Sequence, residues 1–197
     1  MNSFAKALTV AVFALSISTT MAAKAEDWIL DGTRSNVSFG SIKSNMFGEV
    51  HHFETVTGRV SDTGTAEIVI DLASVRTLID IRNERMVEHL FGGGAKATLK
   101  AQLDMAALEA MEVGQIEPMT VEANLAFLKQ SLDLDLDVVV ARLSEDEAMV
   151  ASNSFFFLAA EDVGFGEGIA VLMQLAGLDS ITETSPVSFR LVFDRAE

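Results

Sequence analysis

Cysteine is absent from the 197-residue chain, and this absence excludes several kinds of site at once. Without a thiol there is no disulfide, no thiolate metal site and no catalytic cysteine. Tyrosine is absent as well, and the chain has one tryptophan, two prolines and three histidines. The side chains from which an active site could be built are therefore few.

Basic residues are scarce, because 14 Lys and Arg stand against 29 Asp and Glu, for a net charge of −15. Such a surface repels phosphate backbones, so we expect no nucleic-acid partner. A solvated acidic shell that keeps a protein soluble accounts for the charge without any specific function.

Long apolar runs are missing except near the N-terminus, where Lys6 is followed by the apolar stretch 7–17. Ala23 and Ala25 fit the two small-residue positions of a signal-peptidase site. The pattern predicts a signal peptide over residues 1–25, cleaved after Ala25, and export of the mature protein. Cleavage leaves 12 basic and 29 acidic residues, a net charge of −17. No other apolar run reaches the roughly 20 residues of a spanning helix, so we expect no transmembrane segment in the mature protein.

The rest of the chain is dominated by apolar and polar residues that alternate with period two, which predicts strands with one buried face. The clearest examples are residues 65–72, 95–103, 120–127, 132–140 and 187–194. Weaker strand candidates are residues 37–39, 50–60 and 150–158. Helix-forming residues are concentrated in the segments 81–91, 104–111 and 167–178, from which we expect one or two short helices.

About eight half-buried antiparallel strands predict an all-β domain, either a sandwich or a closed barrel. A closed barrel of about eight strands has no exposed edge and holds one small ligand in its interior. Periodicity alone does not separate these two architectures. We find no repeat or linker, so residues 26–197 are predicted to form a single domain.

The sequence carries no recognisable catalytic or metal-binding motif. There is no G-x-S-x-G nucleophile elbow. Asp133, Asp135 and Asp137 match the opening of a calcium loop, but Val138 stands where that loop needs glycine and Ser144 where it needs glutamate. On a strand these three carboxylates share one solvated face. We therefore predict no catalytic residues, no metal site and no enzyme activity.

The three histidines do not suggest a joint site. His51 and His52 are neighbours on a predicted strand, where adjacent side chains point to opposite faces. They are therefore not expected to bind one metal ion together. His89 is distant from both in the sequence.

Three arginines, Arg76, Arg82 and Arg85, lie close together near a predicted strand-to-helix junction. One interpretation is internal ion pairing with acids of the same segment. Those acids are Asp80, Glu84 and Glu88. The other interpretation is that the arginines contact an anionic head group at the mouth of a barrel. The sequence leaves both open.

The aromatic residues are almost all phenylalanine, with 13 in the chain. Core packing is the simplest account of them. An interior of Phe, Leu, Ile and Val without polar groups would suit a plain hydrocarbon chain better than a polar metabolite. The predicted lining consists of Phe39, Ile68, Ile70, Leu125, Phe127, Leu134, Leu136, Phe155, Phe157, Phe189 and Leu191.

Several short motifs, in order, resemble those of the YceI-like family. Trp28-x-x-Asp31 followed by Ser35-x-Val37-x-Phe39 is similar to the family's opening W-x-x-D…S-x-V-x-F. Residues 74–77 and 81–91 are similar to its S-[VI]-x-T…R-[DN]…L-F stretch, and residues 186–189 to the start of its last strand. The chain departs from the pattern at Arg34, where histidine is common, and after Phe91, where glycines replace a proline-containing segment.

This resemblance implies an extended lipocalin-like antiparallel β-barrel over residues 26–197 that works in the bacterial periplasm. It also implies a hydrophobic small-molecule ligand, an amphiphile whose long polyisoprenoid or quinone-like tail lies in an apolar tunnel. On this view a bound isoprenoid lipid or quinone is the ligand, and no other cofactor is expected. The alternative is a ligand-free periplasmic interaction or stress-response module whose barrel is filled by its own side chains. A homodimer is compatible with both.

Overall fold

The computed structural model describes residues 27–196, so the predicted signal peptide lies outside the described residues. Within this range the chain forms twelve strand segments and three short α-helices. The strands are β1 (Trp28–Leu30), β2 (Asn36–Lys43), β3 (Phe47–Phe53), β4 (Val56–Val60), β5 (Thr65–Asp71), β6 (Val75–Arg76), β7 (Lys96–Gln102), β8 (Ile116–Phe127), β9 (Gln130–Arg142), β10 (Glu147–Ser152), β11 (Phe156–Ala159) and β12 (Thr184–Arg195). The helices are α1 (Asp80–His89), α2 (Met105–Glu109) and α3 (Gly166–Ala176).

Eight strands close into an antiparallel barrel in the order β1-β4-β5-β7-β8-β9-β10-β12, and β12 pairs back onto β1. The register of closure sets Trp28 opposite Arg195 and Leu30 opposite Phe193. The predicted all-β antiparallel barrel is confirmed, and the sandwich is not formed. The expectation of one or two helices was too low, because each of the three candidate segments contains a helix.

The barrel is extended because strand β12 pairs with two strands along each of its edges. Its C-terminal half pairs with β1 and β10, and its N-terminal half pairs with β2 and β11. Strands β8 and β9 run alongside for 12 and 13 residues. At about 3.4 Å per residue, strands of this length span roughly 40 Å. The interior is therefore long enough for more than one chamber.

Alternation along β9 shows how the sequence builds this wall. Leu136 and Val138 are buried in the interior, while Asp133, Asp135 and Asp137 are exposed on the outer face. The predicted solvated face of these carboxylates is confirmed. Among residues 27–196, no group of three His, Asp or Glu side chains is placed to hold a metal ion.

Helices α1 and α3 pack against each other across one end of the barrel. Gly168 permits this approach, since a Cβ atom there would lie 2.4 Å from the carbonyl oxygen of His89. The chain then returns from α1 to β7 through Gly92, Gly93 and Gly94, which have φ angles of 59°, 78° and 98°. Three successive left-handed residues favour glycine strongly, which accounts for the glycine run in the sequence.

The departure at Arg34 is explained by an ion-pair cluster on the outside of the barrel. Its guanidinium contacts the carboxylates of Asp31, Glu147 and Asp194. A hydrogen bond from the Thr33 side chain, followed by one from Arg34, lowers the pKa of Asp31 to about 2. The cluster therefore ties the segment after β1 to β10 and β12.

Candidate functional site

The barrel encloses a cavity of about 570 Å³ at the end covered by α1 and α3, called here the larger cavity. This volume falls within the roughly 300–1,000 Å³ of typical small-molecule sites. Eight of the eleven residues predicted to line the interior do line it. They are Phe39, Ile68, Ile70, Leu125, Phe127, Leu134, Phe189 and Leu191. Ile79, Ile81 and Leu175 line it and are also exposed, so the cavity reaches the surface between α1 and α3.

The structure corrects the placement of two predicted lining residues. Phe155 and Phe157 are 67% and 65% exposed and lie on the outside. Their neighbours Phe156 and Leu158 line the larger cavity instead. The register with β12 fixes this choice, because Phe156 is opposite Val187, whose side chain also faces the cavity. In a run of three phenylalanines, alternation fits either set equally well.

A series of phenylalanine rings forms one wall of the larger cavity. Phe39 stacks on Phe53 at 5.2 Å between centroids, and Phe53 contacts Phe91 at 5.7 Å. Phe165 follows at 5.7 Å from Phe91 and 5.0 Å from Phe127. Sequence reasoning missed Phe53, Phe91 and Phe165 as lining residues. Only Phe53 lies on a strand, and neither of the others belongs to a segment with strand alternation.

A second cavity of about 120 Å³, called here the smaller cavity, lies at the opposite end of the barrel. Leu136 lines this cavity rather than the larger one. Met105, Met111 and Met119 line it as well. The two cavities share the lining residues Ile68, Leu99, Phe189 and Leu191. These four side chains therefore mark the boundary between the chambers.

Polar side chains enter the larger cavity from strands β2 and β3. Along β2 the inward-facing residues change from Val37 and Phe39 to Ser41 and Lys43. Along β3 they change from Phe53 to His51 and Glu49, and Phe39 is opposite His51 while Ser41 is opposite Glu49. The expectation that the interior carries no polar groups is therefore wrong. The four residues Ser41, Lys43, Glu49 and His51 are called here the polar row.

Glu49 is the central charge of the polar row. Its carboxylate accepts hydrogen bonds from Lys43 Nζ at 3.0 Å and from Arg82 Nη1 at 2.6 Å. The hydrogen bond from Arg82 is the main cause that lowers the pKa of Glu49. Arg82 Nη2 donates to the backbone carbonyl of Thr77. Both terminal nitrogens of Arg82 are thus engaged within the protein.

His51 lies at the boundary between the polar row and the phenylalanine wall. It is only 2% exposed, its Nε2 lies 3.1 Å from the hydroxyl of Ser41, and its ring lies 5.2 Å from that of Phe39. Burial, followed by the positive charge of Arg82, lowers the pKa of His51 to about 4. The imidazole is therefore neutral at neutral pH.

The three predicted head-group arginines are not brought together at one point. Arg82 and Arg85 line the larger cavity, and Arg85 Nη1 donates to the carbonyl oxygen of Leu175 at 3.1 Å. Arg76 does not line it and pairs with Glu54 at 2.7 Å. The ion-pairing interpretation holds for Arg76 and Arg82, but their partners are Glu54, between β3 and β4, and Glu49 of β3, and not the predicted acids of α1.

Comparison with known proteins gives one family and a set of similar folds. The family model of the YceI-like domain matches residues 28–193. A polyisoprenoid-binding domain from Saccharophagus degradans, implicated in plant cell wall breakdown, is 35% identical with a TM-score of 0.83, covering 86% of this chain and 98% of that one. BcnA from Burkholderia cenocepacia shares the fold at 17% identity and a TM-score of 0.63, covering 83% and 98%. No curated protein matches the chain.

Proposed function

The chain belongs to the YceI-like family, and from this premise we propose that it is a periplasmic binding or carrier protein for an amphiphile. The long apolar tail of this amphiphile, of the polyisoprenoid or quinone type, lies in the larger cavity. The observation that carries the proposal is a chamber of about 570 Å³ with a phenylalanine wall inside a closed barrel. The predicted signal peptide supports the periplasmic location.

Burial of the tail supplies the driving force in this proposal. Each methylene removed from water contributes about 0.8 kcal/mol, and most of the cavity wall is apolar. The polyisoprenoid-binding domain that is 35% identical supports a ligand of this kind. Tail burial sets the affinity, and contacts at the polar end add specificity.

The alternative, a ligand-free module with a filled barrel, fits the interior less well. Protein cores are close-packed and contain few voids larger than a water molecule. The smaller cavity leaves about 120 Å³, whereas the larger cavity leaves about 570 Å³, several times more space. A sequence selected for a packed barrel would not leave one end open. In the residues described, 27–196, no helix is long and apolar enough to cross a membrane.

Binding without catalysis is part of the proposal, although Ser41 and His51 lie within hydrogen-bond distance. In a catalytic triad the second ring nitrogen of the histidine is oriented by a carboxylate. Nδ1 of His51 has no hydrogen-bond partner among residues 27–196. A pKa near 4 also makes His51 a weak general base at neutral pH. The pair is thus suited to hydrogen bonding rather than to nucleophilic attack.

Native mass spectrometry of the protein purified from its own periplasm, followed by organic extraction, tests the proposal. We expect a discrete added mass that extracts as a polyprenyl compound or quinone. A ligand-free mass that stays unchanged after incubation with quinones and polyprenyl lipids would contradict the carrier function. The protein mass in the same spectrum identifies the mature N-terminus, expected at Glu26, and shows whether the protein is a homodimer.

A further inference from the structure

Two buried nitrogen atoms beside the larger cavity have no hydrogen-bond partner within the described part of the chain. They are Nδ1 of His51 and Nε of Arg82. Both residues line the cavity, and Arg82 is close enough to influence the protonation of His51. Leaving a buried polar atom unpaired costs about 1–3 kcal/mol. Two such atoms at one cavity wall therefore indicate that a bound molecule supplies their partner.

The terminal nitrogens of Arg82 and Lys43 each already donate a hydrogen bond within the protein. Arg82 donates through Nη1 to Glu49 and through Nη2 to Thr77, and Lys43 donates to the same carboxylate. Arginine binds phosphate through two parallel N–H groups of its planar guanidinium, which has the shape of a fork. Here Glu49 and the carbonyl of Thr77 each take one N–H from the two terminal nitrogens of Arg82, so the end of the fork already holds two acceptors, one of them a carboxylate. Because Glu49 pairs with both Lys43 and Arg82 and would repel a second anion, these two cations are not arranged to hold a phosphate.

The remaining groups match an uncharged oxygen. Nε–H of Arg82 is a donor, and a neutral imidazole donates or accepts through Nδ1 according to its tautomer. A hydroxyl group accepts from one nitrogen and donates to the other, and a carbonyl oxygen accepts from both. Neither arrangement needs a counter-charge. The apolar wall of Phe39 and Phe53 begins directly beside His51, where the tail of such a molecule would start.

We propose that the polar end of the bound amphiphile is an uncharged hydroxyl or carbonyl group that hydrogen-bonds to Nδ1 of His51, with Nε of Arg82 as its second partner. This inference rests on the proposed function, because it specifies the head group of the molecule that the larger cavity holds. His51 is thereby a specificity residue, and the prediction of an anionic head group on Arg82 is replaced by a neutral one.

Three probes with the same saturated C20 isoprenoid tail test the inference, namely phytanol, phytanyl phosphate and phytane. Dissociation constants are measured by competition in native mass spectrometry. Wild-type protein is expected to bind phytanol about tenfold more tightly than phytane, the effect of one to two net hydrogen bonds. His51→Phe keeps an aromatic ring but no hydrogen-bonding atom, so it should bind phytanol no better than phytane. Its affinity for phytane should not change.

His52→Phe is the matched control, because His52 is the next residue of β3 and does not line the cavity. It should bind all three probes as the wild type does. In case His51→Phe fails to fold, ¹⁵N NMR of the wild-type imidazoles gives an independent reading. The Nδ1 signal of His51 should shift when phytanol is added and stay in place when phytane is added.

The outcomes separate the two proposals. If wild-type protein binds none of the three probes, the carrier function and the head-group inference both fall. If it binds phytane and phytanol equally, and His51→Phe changes neither, the carrier function stands and the head-group inference is overturned. If wild-type protein binds phytanyl phosphate more tightly than phytanol, and Arg85→Gln removes this preference, the head-group inference is also overturned. The head group would then be an anion held by Arg85.

Discussion

The two ends of the barrel are built from the same alternating strands but have opposite characters. One end holds about 570 Å³ of space, opens between two helices and carries the polar row. The other end retains only about 120 Å³, which methionine and valine side chains line together with residues of α2. Trp28 lies at this second end, with the guanidinium groups of Arg142 and Arg195 at 5.3 Å and 4.6 Å from its ring.

The difference teaches that alternation decides which face of a strand is buried, but not whether the interior is filled. Leu134 and Leu136 are consecutive inward-facing residues of β9, yet one lines the larger cavity and the other the smaller. What separates the ends is the set of groups that cover them. Stability should therefore depend mainly on the packed end and binding on the open one.

The largest expected effect comes from a charge placed in the larger cavity. Leu134→Glu should weaken binding of a C20 isoprenoid hydrocarbon at least about 100-fold, because the tail would have to bury a carboxylate without a partner. Titration monitored by native mass spectrometry checks this. Phe157→Glu is the control, since Phe157 is exposed on the outside. Equal losses in both variants would mean that the tail is not held in this chamber.

Truncation at the two ends should separate packing from binding. Leu136→Ala, in the packed end, should lower the free energy of unfolding by about 3 kcal/mol, and Leu134→Ala by about 1 kcal/mol, because a cavity already adjoins Leu134. Urea unfolding at equilibrium measures both. Equal losses would show that the larger cavity is not open in solution.

The stability of the open end should depend on pH through His51. Its pKa is near 4 in the folded protein, against an ordinary value of 6.5. Protonation therefore favours the unfolded chain as the pH falls from about 6.5 towards 4. Relative to His51→Phe, wild-type protein should lose between about 1 and 2 kcal/mol from pH 7 to pH 5. Parallel unfolding curves for the two proteins at both pH values would contradict this.

The smallest expected effect concerns the boundary between the cavities. Leu99 lines both, so Leu99→Ala should join them and shift the preferred tail length towards longer isoprenoids by several-fold in relative affinity. Competition among C15, C20 and C30 hydrocarbons in one native mass spectrum measures the shift. An unchanged preference would show that the smaller cavity stays closed to the tail.

Much of the barrel could be predicted from period-two patterns, and the reasons are visible in particular strands. Asp133, Asp135 and Asp137 identify one face of β9 without ambiguity. Residues 50–60 fit a single strand, but the chain breaks between β3 and β4. In the run from Phe155 to Phe157, every residue is apolar, so only the pairing with β12 decides which one faces inward.

The candidate site was harder to predict, because strand pairing and helix packing bring its groups together. Ser41 and Lys43 are inward-facing residues of β2, and Glu49 and His51 face inward from β3, where Glu49 is opposite Ser41. The spacing of two within each pair is visible in the sequence, but the hairpin register is not. The contact of Arg82 with Glu49 spans 33 residues of sequence. The neutral state of His51 also depends on burial, which local sequence does not fix.

Photo-crosslinking locates the tail most directly. A C20 isoprenoid alcohol with a diazirine at the far end of its tail is bound to the protein, irradiated and mapped by peptide mass spectrometry. The account predicts labels on inward-facing residues of the larger cavity, such as Leu99, Leu125 and Leu134. Labels confined to outward-facing residues, such as Phe155 and Phe157, would contradict the claim that the barrel interior holds the tail.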